Sequence, residues 1–405
     1  MIKRNIEKHL QDIILQYRKM AFIGGPRQVG KTTLANQFRK KFSQSCYFNW
    51  DIISDQKELL ADPYFFEKID RDFSRPFLVV YDEIHKYARW KNYLKGVYDK
   101  YHANFHFLVT GSGRLDLFQK GGDSLFGRYF TLPLFPLTVG ELRGKVPSWQ
   151  EFKKRLMLPP GGTKRKSDYE YLFELSGFPE PFLKGTKTFY NMWFEERKKL
   201  LVREDIRDAS GIRQISLLEI LSHAIPEKIG APLSLNSLRE DVGVAFETIR
   251  DWVLLLGQFY YLFQILPYAG SMTRMLKKEA KAYLFDWVEV ADKAKRFENM
   301  VALHLYKAVS LWRASGQGDI DLRYIRDREK REVDFVFLEN NRPVCLIECK
   351  YSDEQAADNL KYFQGKFKIP LAVQLVHKSG FSRKIKFDSG EILIISADRW
   401  LEMLP

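Results

Sequence analysis

The stretch Gly25-Pro26-Arg27-Gln28-Val29-Gly30-Lys31-Thr32-Thr33 constrains this chain more than any other. It follows the apolar run Ala21-Phe22-Ile23 and precedes Leu34-Ala35-Asn36-Gln37-Phe38, so a strand feeds a glycine-containing loop and the loop opens a helix. A loop of this kind binds phosphate. Gly25 and Gly30 let backbone N–H groups turn toward phosphate oxygens, and a helix starting at Lys31 adds the positive end of its dipole. Lys31 is expected to hold the β- and γ-phosphates of ATP, and Thr32 to give its hydroxyl to a nucleotide-bound Mg²⁺. Pro26, Arg27, Gln28, Val29 and Thr33 complete the nucleotide-binding segment.

A second run, Phe77-Leu78-Val79-Val80-Tyr81, is apolar at every position, as in a strand covered on both faces of a parallel sheet, and it ends in Asp82-Glu83. Open α/β sheets bind ligands at the carboxyl ends of their strands. Asp82 is therefore expected to hold Mg²⁺ through water, and Glu83 to orient and deprotonate the water that attacks the γ-phosphate. Phe105-His106-Phe107-Leu108-Val109-Thr110 forms a further strand and brings Gly111-Ser112-Gly113-Arg114 to the same crevice. A small-molecule kinase on the same loop is disfavoured, because Glu83 beside Asp82 suits water activation.

At 405 residues the chain is expected to hold two or three domains. Its net charge of +14 suits a polyanionic partner such as DNA, with basic clusters at Lys153-Lys154-Arg155, Lys164-Arg165-Lys166, Arg197-Lys198-Lys199 and Lys277-Lys278. Cys46, Cys345 and Cys349 lack the number and spacing of a disulfide framework or a zinc site. The amino terminus carries no targeting pattern, and the longest apolar run, Trp252 to Leu266, is too short and too polar to cross a bilayer. The expectation is a cytoplasmic protein with no membrane association.

Residues 21 to about 142 resemble an AAA+ ATPase domain. The resemblance places Thr110 or Ser112 at the sensor-1 position, which in that family feels the γ-phosphate. Leu125-Phe126-Gly127-Arg128 is similar to the segment family members carry before a Pro-rich strand, here Leu132 to Leu137, and it implies that Arg128 acts as an arginine finger or sensor. A surface salt bridge is the other reading of Arg128. AAA+ domains often work as rings, so a homo-oligomer or a protein partner is expected.

Leu158-Pro159-Pro160-Gly161-Gly162-Thr163-Lys164-Arg165-Lys166-Ser167 has the composition of an exposed linker. Beyond it, Ser176-Gly177-Phe178-Pro179-Glu180 and Arg203-Glu204-Asp205-Ile206 resemble bacterial and archaeal AAA+ ATPases that carry a C-terminal DUF4143 domain. The resemblance extends over nearly the whole chain. Leu233 to Trp252 has helix-turn-helix grammar, with Gly243 at the turn, Leu238, Val242, Val244, Ile249 and Trp252 as the apolar seam, and a wing strand at Phe259 to Ile265. Thr248 and Arg250 would face outward beside Glu247 and Asp251, which repel phosphate. DNA reading by this unit and packing against a neighbouring domain both stay open.

In the last part, a helix opening at Lys295-Arg296-Phe297-Glu298 precedes a hairpin, Glu332 to Leu338 and Val344 to Lys350, joined by a polar turn. Alternation puts Glu348 and Lys350 on one face, and Asp334 on the partner strand joins them in a cluster that can bind a divalent metal. The segment resembles the PD-(D/E)XK nuclease superfamily, with Val333 in place of the motif's Pro. That resemblance implies Asp334, Glu348 and Glu298 as ligands of a second divalent metal and Lys350 as the group that positions water or stabilises the transition state.

The expected architecture is thus α/β: a P-loop AAA+ parallel sheet at 1–150, a helical and winged-helix region at 151–290, and a nuclease-like α/β domain at 291–405. The expected function is ATP binding and hydrolysis coupled to a DNA-engaging carboxyl half whose nucleolytic activity is open. The alternative is a nucleotide-dependent protein-interaction switch with a catalytically silent nuclease-like scaffold.

Overall fold

The computed structural model describes residues 2–111, 125–157, 166–207, 212, 214–268, 279–369, 371–387 and 390–405. Ser112, Gly113, Arg114, Lys277, Lys278 and most of the 158–167 linker lie outside them. The chain divides into two compact units, Arg4–Phe135 and Pro136–Pro405, the latter together with residues 1–3.

In the first unit the described strands are β1 (Met20–Gly24), β2 (Gln44–Asn49), β3 (Phe77–Asp82), β4 (Phe105–Gly111) and β5 (Tyr129–Pro133). They form one parallel sheet in the order β2-β3-β4-β1-β5. Every residue of β1 and β3 is buried, as a strand covered on both faces requires. Helix α1 (Glu7–Gln11) runs into a π-turn at Asp12–Gln16. The wider turn, in which the Tyr17 N–H donates to Asp12 O, accompanies burial of Leu10, Ile13 and Ile14 together. Helices α2 (Lys31–Arg39), α3 (Ile53–Ala61) and α4 (Trp90–Tyr101) follow β1, β2 and β3. Aromatic rings dominate the core: Phe66 meets Tyr101, Phe105 and Phe107 edge to face, and Tyr81 is wholly buried.

Register fixes where the chemistry falls. Gly24 pairs with Gly111, Asp82 with Thr110, and Asn49 with Asp82. The 25–33 loop, the Asp82-Glu83 pair and the end of β4 therefore emerge together at the carboxyl ends of the strands.

The second unit opens with helices and a helix-turn-helix. Helix α5 (Leu235–Val242) is capped by the Ser234 hydroxyl and ends at Gly243, whose φ of 76° is the left-handed conformation that lets the chain turn. Helix α6 (Phe246–Gln258) leads to β6 (Leu262–Ile265), which pairs antiparallel with β7 (Lys281–Leu284) as a two-stranded wing. Leu238, Val242, Ile249 and Trp252 are buried, and Val244 is half-buried. Helix α7 (Lys293–Ala314) starts at an Asp292 cap and packs on the sheet that follows.

That sheet contains β8 (Ile320–Arg326), β9 (Glu332–Glu339), β10 (Arg342–Lys350), β11 (Leu371–Val376), β12 (Ser382–Phe387) and β13 (Gly390–Ser396), in the order β12-β13-β11-β10-β9-β8. Strands β8 to β10 form an antiparallel meander. Asn340 and Asn341, at φ of 50° and 61°, make the two-residue turn between β9 and β10. Helix α8 (Asp358–Phe367) then carries the chain over to β11, parallel to β10.

The sequence-based boundary near 150 differs from the division at 135/136. Residues 136–150 hold to the second unit through single side chains: Lys307 Nζ donates to Pro136 O and Glu141, the Val139 N–H donates to His304 Nε2 at 3.1 Å, and Trp149 Nε1 donates to Glu339.

Candidate functional site

The first site grows out of the end of β1. A Cβ placed on Gly25 would lie 2.1 Å from Leu134 O, so only glycine lets the loop pass that close. Gly30 precedes α2 with a φ of 96°. Lys31 is buried, and its ammonium donates to Gly25 O at 3.0 Å and Pro26 O at 2.8 Å, carbonyls of its own loop. Val29 is buried, Arg27 half-buried, and Gln28, Thr32 and Thr33 are exposed.

Around the buried Asp82 the donors are hydroxyls. Thr32 Oγ1 donates at 2.7 Å and Tyr47 Oη at 2.6 Å to Oδ2, and Thr110 Oγ1 donates to Oδ1. Burial, and then the Asp82 carboxylate, push the Tyr47 phenol well above its ordinary range. Glu83 follows at a φ of 55°, a conformation non-glycine residues seldom adopt, and its N–H donates to Thr110 O. Burial raises the Glu83 carboxyl, with the Lys31 charge opposing. His85 Nε2 lies 3.4 Å from Glu83 Oε2, and Lys86 stands 3.8 Å from it. A hydroxyl and a carboxylate 2.7 Å apart, Thr32 and Asp82, form an oxygen donor set of the kind Mg²⁺ takes.

Arg128 is turned to Asp99 on α4 in a fork, Nε to Oδ1 at 2.6 Å and Nη2 to Oδ2 at 2.9 Å. Here the salt-bridge geometry is the one present. Ser112 lies outside the described residues. Sequence reasoning missed Tyr47 and His85: Tyr47 meets Asp82 only once β2 and β3 are in register, and His85 meets Glu83 only through the turn that follows β3.

The second site lies in the six-stranded sheet of the second unit. Glu298 on α7, Asp334 on β9 and Glu348 with Lys350 on β10 come into one neighbourhood. Asp334 Oδ2 accepts the Cys349 N–H at 2.9 Å, the Asp334 N–H donates to Glu348 Oε2 at 3.4 Å, and Lys350 Nζ stands 2.8 Å from Glu348 Oε1. What the sequence did not disclose is Lys281. Its wholly buried ammonium lies 2.6 Å from Glu332, 3.1 Å from Glu298 and 3.3 Å from Asp334. Tyr283 Oη adds a 2.7 Å hydrogen bond to Glu298. Burial raises the carboxyls of Glu298 and Glu348, and the Asp334 charge raises both further. Burial alone would lower the Lys281 ammonium, but the acids around it hold it well above its ordinary value.

Among the described residues no group of three or more His, Cys, Asp or Glu side chains is disposed to hold a metal ion. The second divalent metal expected of Glu298, Asp334 and Glu348 does not fit these residues as they stand, because their oxygens are directed at a lysine, a phenol and backbone N–H groups. In the helix-turn-helix, Arg250 is engaged by Glu247 and Asp251 on its own helix, so the outward face of α6 offers phosphate little unpaired positive charge.

A family model described as an AAA domain matches residues 17–143. Two models of domains of unknown function, DUF8612 and DUF4143, match 166–287 and 293–394. No curated protein matches the chain. Among solved structures, AMPPCP-bound DnaA from Aquifex aeolicus is 15% identical, with 63% of this chain and 86% of that one covered and a TM-score of 0.29. A DNA replication initiation factor is 15% identical over 62% and 89%, TM-score 0.28, and C. elegans PCH-2 is 17% identical over 61% and 64%, TM-score 0.23. TM-scores of this size carry no conclusion. No helix among the described residues is long and apolar enough to cross a membrane.

Proposed function

We propose, from the premise that this chain carries an AAA domain at residues 17–143 and a DUF4143 domain at residues 293–394, that it binds and hydrolyses ATP at the 25–33 loop and couples nucleotide state to its carboxyl half. The observation that carries this reading is the convergence of Thr32, Thr110 and Tyr47 on Asp82, with Glu83 next in the chain and in reach of Thr110. Lys31 exchanges the carbonyls of Gly25 and Pro26 for phosphate oxygens, and the helix behind it favours the negative charge. Thr32 and Asp82 hold Mg²⁺, which when bound neutralises phosphate charge. Glu83 orients and accepts the proton of the attacking water, and its raised carboxyl makes it a stronger base than an exposed glutamate. The test is ATP turnover by the full chain beside Lys31→Ala: a variant that hydrolyses at the normal rate overturns the reading.

For the carboxyl half we propose DNA engagement, a reading supported only by the net charge of +14 that the whole chain carries. Binding to duplex DNA that weakens steeply with added salt is the expected result, and no binding at low salt would reject it. The second reading, a nucleotide-dependent interaction switch on a silent nuclease-like scaffold, is favoured by the Lys281 ammonium among the acids. Metal-dependent plasmid cleavage that is lost in Asp334→Ala would defeat that reading.

A further inference from the structure

Lys281 sits on the wing hairpin, 17 residues before Glu298 and 53 before Asp334, yet it meets both carboxylates and Glu332 as well. We propose that its ammonium is a built-in cation of the nuclease-like fold, so that the β6–β7 hairpin, and not a divalent metal, closes the cluster of Glu298, Glu332 and Asp334. The inference deepens the silent-scaffold reading and stands apart from ATP turnover.

Several independent features support it. An ammonium has three N–H donors, and three carboxylates lie at 2.6, 3.1 and 3.3 Å. The Lys281 side chain has no exposure at all, so it is no surface lysine resting against an acidic patch. A charge so buried persists only where countercharges surround it. Its backbone is fixed on two sides: Lys281 pairs with Ile265 across the hairpin, and the Leu233 N–H donates to Ala280 O at 2.8 Å. The Tyr324 ring lies 5.6 Å from the ammonium, on a tyrosine whose hydroxyl donates to Glu279 O. The acids are further occupied by Tyr283 Oη on Glu298 and the Cys349 N–H on Asp334. A dication placed among the same oxygens would lie close to a fixed positive charge in a medium that screens poorly. It enters only if Lys281 leaves, which means parting the hairpin from the sheet.

The test is Mn²⁺ binding to the full chain without nucleotide, read from the electron paramagnetic resonance signal of free Mn²⁺. The wild-type chain and Asp334→Asn are expected to bind alike, because no ion sits at Asp334 in either. Lys281→Met removes the cation and keeps the chain length; it should gain a site at least about tenfold tighter than any in the wild type, lost again in Lys281→Met/Asp334→Asn. Lys281→Arg should gain none. A wild-type site that disappears in Asp334→Asn overturns the proposal, as does a folded Lys281→Met chain with no new site. If Lys281→Met does not fold, the wild-type and Asp334→Asn pair decides alone. Mn²⁺ held at Asp334 without DNA cleavage defeats this inference and leaves the silent-scaffold reading standing.

Discussion

The two carboxylate sites of this chain solve the same problem with different donors. Asp82 is buried among the hydroxyls of Thr32, Tyr47 and Thr110, whereas the half-buried Asp334 and Glu298 close around the buried Lys281 ammonium. A hydroxyl is neutral and rotates, so it satisfies a carboxylate and still yields when a cation arrives. An ammonium carries a full charge, and a cation can replace it only by expelling it. The first site is built to be entered, and the second is already complete.

The largest effect should come from the acid beside the open site. Glu83→Gln is expected to lower ATP turnover by at least ~10²-fold while nucleotide binding persists, whereas Glu348→Gln leaves turnover unchanged. Single-turnover kinetics and fluorescent-nucleotide binding would check both, and equal losses in the two variants would break the contrast.

Stability should separate the sites in the opposite sense. Lys281→Met leaves Glu298, Glu332 and Asp334 without their cation and should cost about 3–5 kcal/mol in urea unfolding, more than Lys281→Arg. Asp82→Asn loses no countercharge and should cost on the order of 1 kcal/mol. A Lys281→Met chain as stable as the wild type would show that the ammonium is not integral to the second site.

A third kind of buried polar group gives a pH signature. His304 accepts the Val139 N–H at Nε2 and donates from Nδ1 to Met300 O, and burial lowers its pKa from 6.5 to about 3. The unfolded chain takes up this proton near pH 6.5 and the folded chain does not. Its contribution is therefore complete above about 6.5 and is lost as pH falls toward about 3. Melting temperature measured from pH 7.5 downward should fall more steeply for the wild type than for His304→Gln; parallel curves would deny the neutral imidazole this role.

The smallest effect on stability belongs to Arg128. Its exposed pair with Asp99 should leave the melting temperature of Arg128→Ala nearly unchanged. Turnover is the sensitive readout: a loss there, with stability intact, would assign Arg128 to a phosphate and not to Asp99.

Features written in consecutive residues were legible from the sequence. The 25–33 loop, the β3 run into Asp82-Glu83, the Gly243 turn and the β9–β10 hairpin each follow from local spacing, and each forms where expected. Lys281 was not legible. Its acids come from α7 and β9, and no period or motif ties a strand lysine to partners 17 and 53 positions onward. Tyr47 and His85 escaped for the same reason, since they reach Asp82 and Glu83 only through strand register and a turn. The boundary at 135/136 was hidden because residues 136–150 are held by residues well over a hundred positions later, His304, Lys307 and Glu339 among them.

The sealed position of Lys281 also makes it a clock. An amine-reactive reagent modifies a lysine only when the nitrogen is both deprotonated and reachable, and this one is neither while the hairpin is seated. Each molecule labelled there records one excursion in which the wing lifted from the sheet. The labelling rate of this one amine, read by mass spectrometry against the exposed lysines as an internal standard, measures how often the carboxyl half opens.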